Sequence, residues 1–321
     1  MGNEDEIRSA DLRVERVVPD ALCNPSIRTM TVQANGLNFE VDECGSGNRL
    51  ALCLHGFPEH SFSWRYQLPH LAELGYRAWA PNLRGYGSSS RPVGVGAYSV
   101  ENLMADVAGL IDAAEAKDTV LIGHDWGAVI AWYFAIRRIR PLKQLVICNV
   151  PHPMSMRANR SLAQLKKSWY IFFFQLPGLA EWLFSRDGGK ALGEIMHASA
   201  VDKSQFPPEV GAVYQRNAMQ PGALTAMVNY YRALLRGGGA KRQQALGFAV
   251  IDTPTLMIWG EDDVALTKET TYGTEKYVKE LTIRYLAGVS HWVQQEQPEA
   301  VNAMIAAFLV GEAVPEFTGS V

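Results

Sequence analysis

The stretch Thr119-Val120-Leu121-Ile122-Gly123-His124-Asp125-Trp126-Gly127 carries the information that fixes the fold. Thr119 to Ile122 is a short run of β-prone, mostly branched residues, as expected of a buried strand. From Gly127 a helix-like pattern runs to Arg140, with basic residues near its end and Pro141 stopping it. Between the two, small residues stand two places either side of Asp125. That spacing permits the strained strand-to-helix turn that lifts one reactive side chain out of the backbone. Serine is the usual residue at such a tip. A carboxylate there has different chemistry: it needs no general base to be nucleophilic, and it can attack an sp³ carbon to form an ester. The positive end of the following helix helps keep Asp125 ionised. An Asp N-cap flanked by packing glycines fits the same five letters, but the strand-turn-helix setting favours the nucleophile. His124 reads as a structural residue whose ring bonds locally.

Outward from this turn the chain has a steady rhythm. Arg28 to Ala34 and Leu37 to Val41, joined by Asn35-Gly36, read as a β-hairpin. Leu50 to Leu54 is a buried-strand run, followed by a Gly/Pro loop, a helix over Tyr66 to Leu74, and a strand from Tyr76 to Ala80 ended by Pro81. Ser99 is placed to cap a helix whose apolar face is Leu103, Val107, Leu110, Ile111 and Ala114. Leu145 to Cys148, Thr255 to Trp259 and Thr282 to Leu286 continue the strands, and Pro298 to Leu309 closes with a helix. Short apolar strands alternating with helices predict an α/β fold, a mostly parallel sheet with helices on both faces.

The rhythm breaks at Pro151-His152-Pro153. From there to Ala245 the pattern is aromatic and helical, ending near Gly237-Gly238-Gly239, which reads as a flexible exit. Residues 1–150 and 246–321 are expected to form the core, with 151–245 an inserted helical lid. The lid's cations (Arg157, Arg160, Lys166, Lys167, Arg216, Arg232, Arg236, Lys241, Arg242) are expected on its solvent face.

A carboxylate nucleophile requires a base to hydrolyse the ester, and the chain order for this type of turn is nucleophile, acid, histidine. His291 lies in a loop after the last strand, where its imidazole can reach a water beside Asp125. The acid is expected after the preceding strand, in Gly260-Glu261-Asp262-Asp263, where it would orient His291. An oxyanion needs two backbone N–H donors. Trp126, just after the nucleophile, supplies one; Phe57, in His55-Gly56-Phe57-Pro58 after an early strand, supplies the other.

Other chemistries find no footing. Gly94-Val95-Gly96-Ala97-Tyr98-Ser99 lacks the third glycine of a dinucleotide loop, and there is no P-loop. The seven histidines are scattered without ligand spacing, so neither metal nor cofactor is expected. With a formal net charge of −3 over 321 residues and no polybasic run, nucleic acid is not a partner. The acidic start, Met1-Gly2-Asn3-Glu4-Asp5-Glu6, has no apolar core of a secretion signal, and Glu6 replaces the Ser or Thr of a myristoylation motif. Tyr170 to Phe184 is too short and too interrupted to span a bilayer. Cys23, Cys44, Cys53 and Cys148 have no C-x-x-C spacing, and Cys53 and Cys148, inside apolar runs, read as reduced core residues of a cytoplasmic protein.

These segments together resemble the epoxide hydrolases of the α/β-hydrolase superfamily, the soluble and microbial enzymes with an Asp nucleophile. The matching segments are His55-Gly56-Phe57-Pro58-Glu59, Ser63-Trp64-Arg65, Asn82-Leu83-Arg84-Gly85-Tyr86-Gly87, Gly123 to Gly127, Trp259-Gly260-Glu261-Asp262-Asp263 and Ser290-His291-Trp292. The elbow and oxyanion segments are shared with haloalkane and fluoroacetate dehalogenases. The resemblance implies Asp263, rather than Asp262, as the acid. It also implies two lid tyrosines that protonate the epoxide oxygen: Tyr170, before Phe174-Gln175-Leu176-Pro177-Gly178, and Tyr231, in Asn229-Tyr230-Tyr231-Arg232. Tyr230 stands where the family usually has Trp. The implied reaction converts a small apolar epoxide to a vicinal diol through an ester on Asp125, hydrolysed by water activated by His291, and Trp169, Phe172 and Phe173 suggest an apolar site. A haloalkane dehalogenase is the rival reading. It would need a second halide donor, for which the lid's Trp169 or Trp182 is available.

Overall fold

The computed structural model describes Leu22, Asn24 and residues 26–319; the acidic start and Cys23 lie outside the described residues. The hairpin pairs β1 (Arg28–Ala34) with β2 (Leu37–Cys44), Ala34 opposite Leu37. Asn35 and Gly36 both have positive φ, 49° and 72°, the two-residue turn whose twist matches that of paired strands. Then follow β3 (Arg49–Leu54), α1 (Gln67–Glu73), β4 (Arg77–Pro81), α2 (Val100–Ala114), β5 (Asp118–His124), α3 (Trp126–Arg137) and β6 (Gln144–Cys148). Pro81 ends β4 from inside the strand, opposite Val41. After a long helical excursion come β7 (Thr255–Gly260) and β8 (Leu281–Leu286). The sheet order is β1-β2-β4-β3-β5-β6-β7-β8, antiparallel among β1, β2 and β4 and parallel from β4 onward.

Alternation along the central strands builds two apolar layers. Leu52 and Leu54, Leu121, and Leu145 and Ile147 face α2 and α3. Ala51 and Cys53, Val120 and Ile122, and Val146 and Cys148 face the opposite way, with Leu68 and Leu71 of α1 and the C-terminal helix. Because both faces are covered, the strands read as near-continuous apolar runs. Cys44, Cys53 and Cys148 are buried free thiols, and burial raises the pKa of Cys53 and Cys148. Ser99 caps α2 by accepting from the Asn102 N–H.

Two boundaries differ from expectation. α3 stops at Arg137, three residues before Arg140, because Arg138 turns left-handed at φ 50° and its N–H closes on the Ala135 and Phe134 carbonyls. Arg138 and Arg140 then leave the helix for Asp252 (2.5 Å) and Asp112 (2.7 Å). The glycine run is not the exit of the excursion; Gly238, at φ 72°, joins two of its helices.

The excursion between β6 and β7 consists of α4 (Pro153–Ala158), α5 (Leu162–Lys167), α6 (Trp169–Phe173), α7 (Leu179–Ser185), α8 (Lys190–Ser199), α9 (Pro208–Ala218), α10 (Ala223–Leu235) and α11 (Gly239–Ala245). α12 (Val293–Glu296) and α13 (Pro298–Val310) follow β8. β6 and β7 are neighbours, Leu145 opposite Thr255, so the chain leaves the sheet and re-enters it beside the point of departure. Most of the excursion's cations are exposed as expected, but Arg232 is buried. Its guanidinium takes both oxygens of Glu181 (2.6 and 3.0 Å) and donates to the carbonyls of Phe174 and Leu176, which meets the hydrogen-bonding demand of a planar five-donor group out of water. Among the described residues no helix is long and apolar enough to cross a membrane.

Candidate active site

Asp125 sits between β5 and α3 at φ 48°, ψ −119°, a conformation costing a non-glycine residue about 1–3 kcal/mol that the surroundings must impose. The glycines around it make the turn possible. A Cβ on Gly127 would lie 2.1 Å from the Leu54 carbonyl oxygen, and one on Gly56 would lie 2.3 Å from the Asp125 Cβ. The backbone of the loop after β3 therefore approaches the carboxylate directly, and the Phe57 N–H donates to Asp125 Oδ1 at 2.7 Å. Trp126 is the first residue of α3.

His291 follows β8. Its Nε2 is 3.5 Å from Asp125 Oδ2 and its Nδ1 is 2.6 Å from Asp263 Oδ2. Asp263 is buried, and its carboxylate also accepts from the Asn149 amide at 2.8 Å and the N–H groups of Ala265 and Leu266 at 2.7 and 2.9 Å. Asp262 is exposed; of the two acids, only Asp263 meets the imidazole. Burial works against all three charges but is outweighed. The charges and hydrogen bonds of Asp263 and Asp125 lift His291 to about 10. Asp125 is held below the usual carboxylate range by His291, His124 and the Phe57 N–H, and Asp263 by His291, Asn149 and Leu266.

Over this trio stand the two tyrosines. Tyr231 is buried, with its ring edge-on to Trp126 (5.0 Å) and Phe57 (5.6 Å), and Tyr170 is 5.9 Å from it. Burial, then the Asp125 charge, push both phenols above their ordinary value, so both are O–H donors. Tyr230 is turned elsewhere: its hydroxyl donates to the Arg84 carbonyl at 2.8 Å. Phe174 closes the wall, 4.8 Å from Tyr231 and 5.4 Å from Phe57. Trp169 and Phe172, expected to line the site, are instead 63% and 58% exposed, and Phe173 is half-buried. Trp182 is also exposed, so neither halide-donor candidate is sequestered with Asp125.

A buried network behind the site went unrecognised in the sequence. Glu59 accepts from the Gly56 N–H (2.9 Å), from His124 Nδ1 (2.7 Å), and from the amides of Gln294 and Gln295 (3.0 and 2.8 Å). His124 Nε2 lies 2.8 Å from the His291 carbonyl oxygen, which can only accept, so that nitrogen carries a proton. The loop after β3, the turn at Asp125 and the histidine loop are thereby tied to one carboxylate. Asn149, at φ 48°, bridges the Asp263 carboxylate and the Gly260 N–H. The available signals were a lone acid in an apolar loop and a polar residue closing a buried strand.

The geometry provides an ionised carboxylate, a base–acid pair, a hydrogen-bond donor at the carboxylate and two phenols. Residues 52–298 match the family model for the alpha/beta hydrolase fold. The chain is 36% identical over 305 residues to "Epoxide hydrolase 4" of Homo sapiens, covering 92% of this chain and 82% of that protein. A solved epoxide hydrolase of Bacillus megaterium, in complex with an inhibitor, superposes with TM-score 0.80 at 31% identity, covering 88% of this chain and 100% of that one. Epoxide hydrolase VrEH1 of Vigna radiata gives 0.78 at 32%, with 89% and 98% covered.

Proposed function

The chain belongs to the epoxide hydrolases of the α/β-hydrolase superfamily, and on that footing we propose that it opens epoxides through a covalent ester on Asp125. The observation that carries this is a partly buried carboxylate, held ionised, whose charge is felt by two protonated phenols. In the first step an Asp125 oxygen forms a bond to an epoxide carbon, the C–O bond of the ring breaks, and Tyr170 or Tyr231 gives the departing oxygen a proton. In the second, His291 takes a proton from water while the water oxygen attacks the ester carbonyl, Asp263 stabilising the imidazolium. The N–H groups of Phe57 and Trp126 hold the oxyanion. Between the two steps the resting imidazolium of His291 gives up its proton, which restores the phenol and leaves a neutral base; collapse of the tetrahedral adduct then passes the carboxyl proton to the leaving oxygen, releasing a vicinal diol and restoring Asp125 and the imidazolium, so that epoxide and water are the only reactants. Residues 151–245 act as the lid, supplying both phenols and the aromatic wall that keeps bulk water away from the ester. The buried free thiols support residence in a reducing compartment, the cytoplasm.

The dehalogenase reading is not favoured. Halide leaves without a proton, so two phenols beside Asp125 would have no task, and the candidates for a second halide donor, Trp169 and Trp182, lie at the surface.

A single turnover in heavy-oxygen water tests the ester: label must enter the Asp125 carboxylate, read by mass spectrometry of the peptide. Label confined to the diol overturns the covalent step. His291→Ala is expected to retain alkylation and accumulate the ester.

A further inference from the structure

Residues 151–190 contain six cationic side chains (Arg157, Arg160, Lys166, Lys167, Arg186, Lys190) against two acidic ones, Glu181 and Asp187, in a chain whose net charge is −3; Lys167 is turned inward to the Asp263 carbonyl and Lys190 lies 3.6 Å from Glu194, which leaves Arg157, Arg160, Lys166 and Arg186 to charge the outer side. One of those two acids is already taken by buried Arg232. The same segment brings large apolar side chains to the surface: Leu162, Leu165, Trp169, Phe172, Trp182 and Leu183 are all exposed, Leu162 to 79% and Trp182 to 57%. They come from consecutive helices. One residue separates α5 from α6, and α6 is joined to α7 through Phe173 and Phe184, 6.5 Å apart, and Phe174 and Phe184, 5.9 Å apart. The inner positions of these helices are occupied by Tyr170, Phe174 and Ala180, so the exposed side chains are a second, outer face. Arg186 stands 5.1 Å from the Trp182 ring.

A lone exposed leucine means little, but a run of aromatic and leucine side chains does not persist at a surface without an occupant. Lysine is depleted at the centres of protein–protein interfaces. Trp, Phe and Leu bordered by Arg and Lys is the composition that seats at the boundary of headgroups and acyl chains. The local excess of positive charge selects the lipid: anionic membranes attract such segments, zwitterionic ones far less. We propose that the outer face of α5–α7 docks on an anionic phospholipid surface, the aromatic side chains in the interface and the cations among the headgroups. Docking follows from this surface alone. Its use rests on the catalytic reading above: apolar epoxides concentrate in lipid, and Tyr170 lies on the inner side of the helix whose outer side would touch it.

The test is cosedimentation of the full chain with phosphatidylcholine vesicles, plain or containing about 30 mol% phosphatidylglycerol, at low and physiological salt. Binding to the anionic vesicles is expected to exceed that to plain ones by about tenfold and to weaken with salt. Phe172→Ser with Trp182→Ser should lower binding about tenfold, and Lys166→Glu with Arg186→Glu should abolish the preference for anionic lipid. Both variants should hydrolyse a short, water-soluble epoxide at the wild-type rate without vesicles, which establishes that they are folded. Wild-type protein left in the supernatant, or undiminished binding by both variants, overturns the proposal. Self-association in sedimentation velocity that vanishes with Trp182→Ser, without vesicle binding, also overturns it and assigns the face to a second copy. Vesicle binding by a protein inert toward every epoxide would sustain the surface and sink the catalytic reading.

Discussion

The Phe57 N–H points at Oδ1 of Asp125, 2.7 Å away, while Oδ2 of the same carboxylate is the oxygen 3.5 Å from His291. The two oxygens are therefore not equivalent before any substrate arrives. Oδ1 is already where, on the proposed mechanism, an ester carbonyl and later its oxyanion would need a donor, and Oδ2 would then be the oxygen that bonds carbon.

That asymmetry sets a pH dependence. His291, lifted to about 10, is an imidazolium in the resting protein at neutral pH. Forming the ester removes the Asp125 charge, one cause of that lift, so the histidine pKa must fall. Alkylation is expected to be flat between about pH 6 and 9, whereas ester hydrolysis should rise with pH through a value below 10. The linkage has the matching sign. A folded-state value raised above 6.5 contributes stability that is complete below 6.5 and lost as pH rises through about 10. Stopped-flow fluorescence separates the two steps, and a pH-independent hydrolysis step would contradict this account.

Asp263→Asn should slow ester hydrolysis by a factor of about a thousand or more, because an amide cannot stabilise the imidazolium and can fix the wrong tautomer. Asp262→Asn, at an exposed position, should stay within about twofold of wild type. Equal losses would mean that the buried pairing does not carry the base.

An epoxide oxygen leaves as an alkoxide. Tyr170→Phe and Tyr231→Phe should each slow alkylation by a factor of about ten to a thousand, and the double variant should be nearly inert. Neither should slow hydrolysis of a preformed ester. Wild-type alkylation in all three variants would reduce the tyrosines to packing residues.

Glu181→Gln leaves Arg232 buried without its counter-charge. A stability loss of about 1–3 kcal/mol is expected, below the value for a fully enclosed pair because Glu181 is partly solvated. Arg232→Met should also slow alkylation, since Arg232 follows Tyr231 and anchors the carbonyls of Phe174 and Leu176. Urea melts and burst kinetics measure the two effects; an alkylation rate unchanged in Arg232→Met would leave the arginine a purely structural role.

The elbow, the sheet and the chain order of its loops are legible in the sequence because each depends on residues close together: strand periodicity, glycines two places from Asp125, a proline or glycine after a strand. What was misread depends on distant partners. Arg232 looked like a surface cation because Glu181 stands 51 residues earlier. Glu59 acquires its meaning from Gln294 and Gln295, 235 and 236 positions on. α3 ends at a left-handed arginine that no proline marks. α6, with five residues, is too short for its periodicity to separate inward Tyr170 from outward Trp169 and Phe172.

The adjacency of β6 and β7 has a consequence for how such a molecule could be rebuilt. The helical excursion begins and ends on two strands already bonded in register, so it is one continuous cassette whose exchange need not disturb the sheet. Asp125, Asp263 and His291 stay behind when it is removed; Tyr170 and Tyr231 go with it. On the proposed mechanism, the ability to make and break an ester would thus reside in the sheet, while the choice of leaving group would travel with the insert. A transplant of this single segment into a halide-cleaving scaffold is the shortest genetic step by which one reaction could be turned into the other.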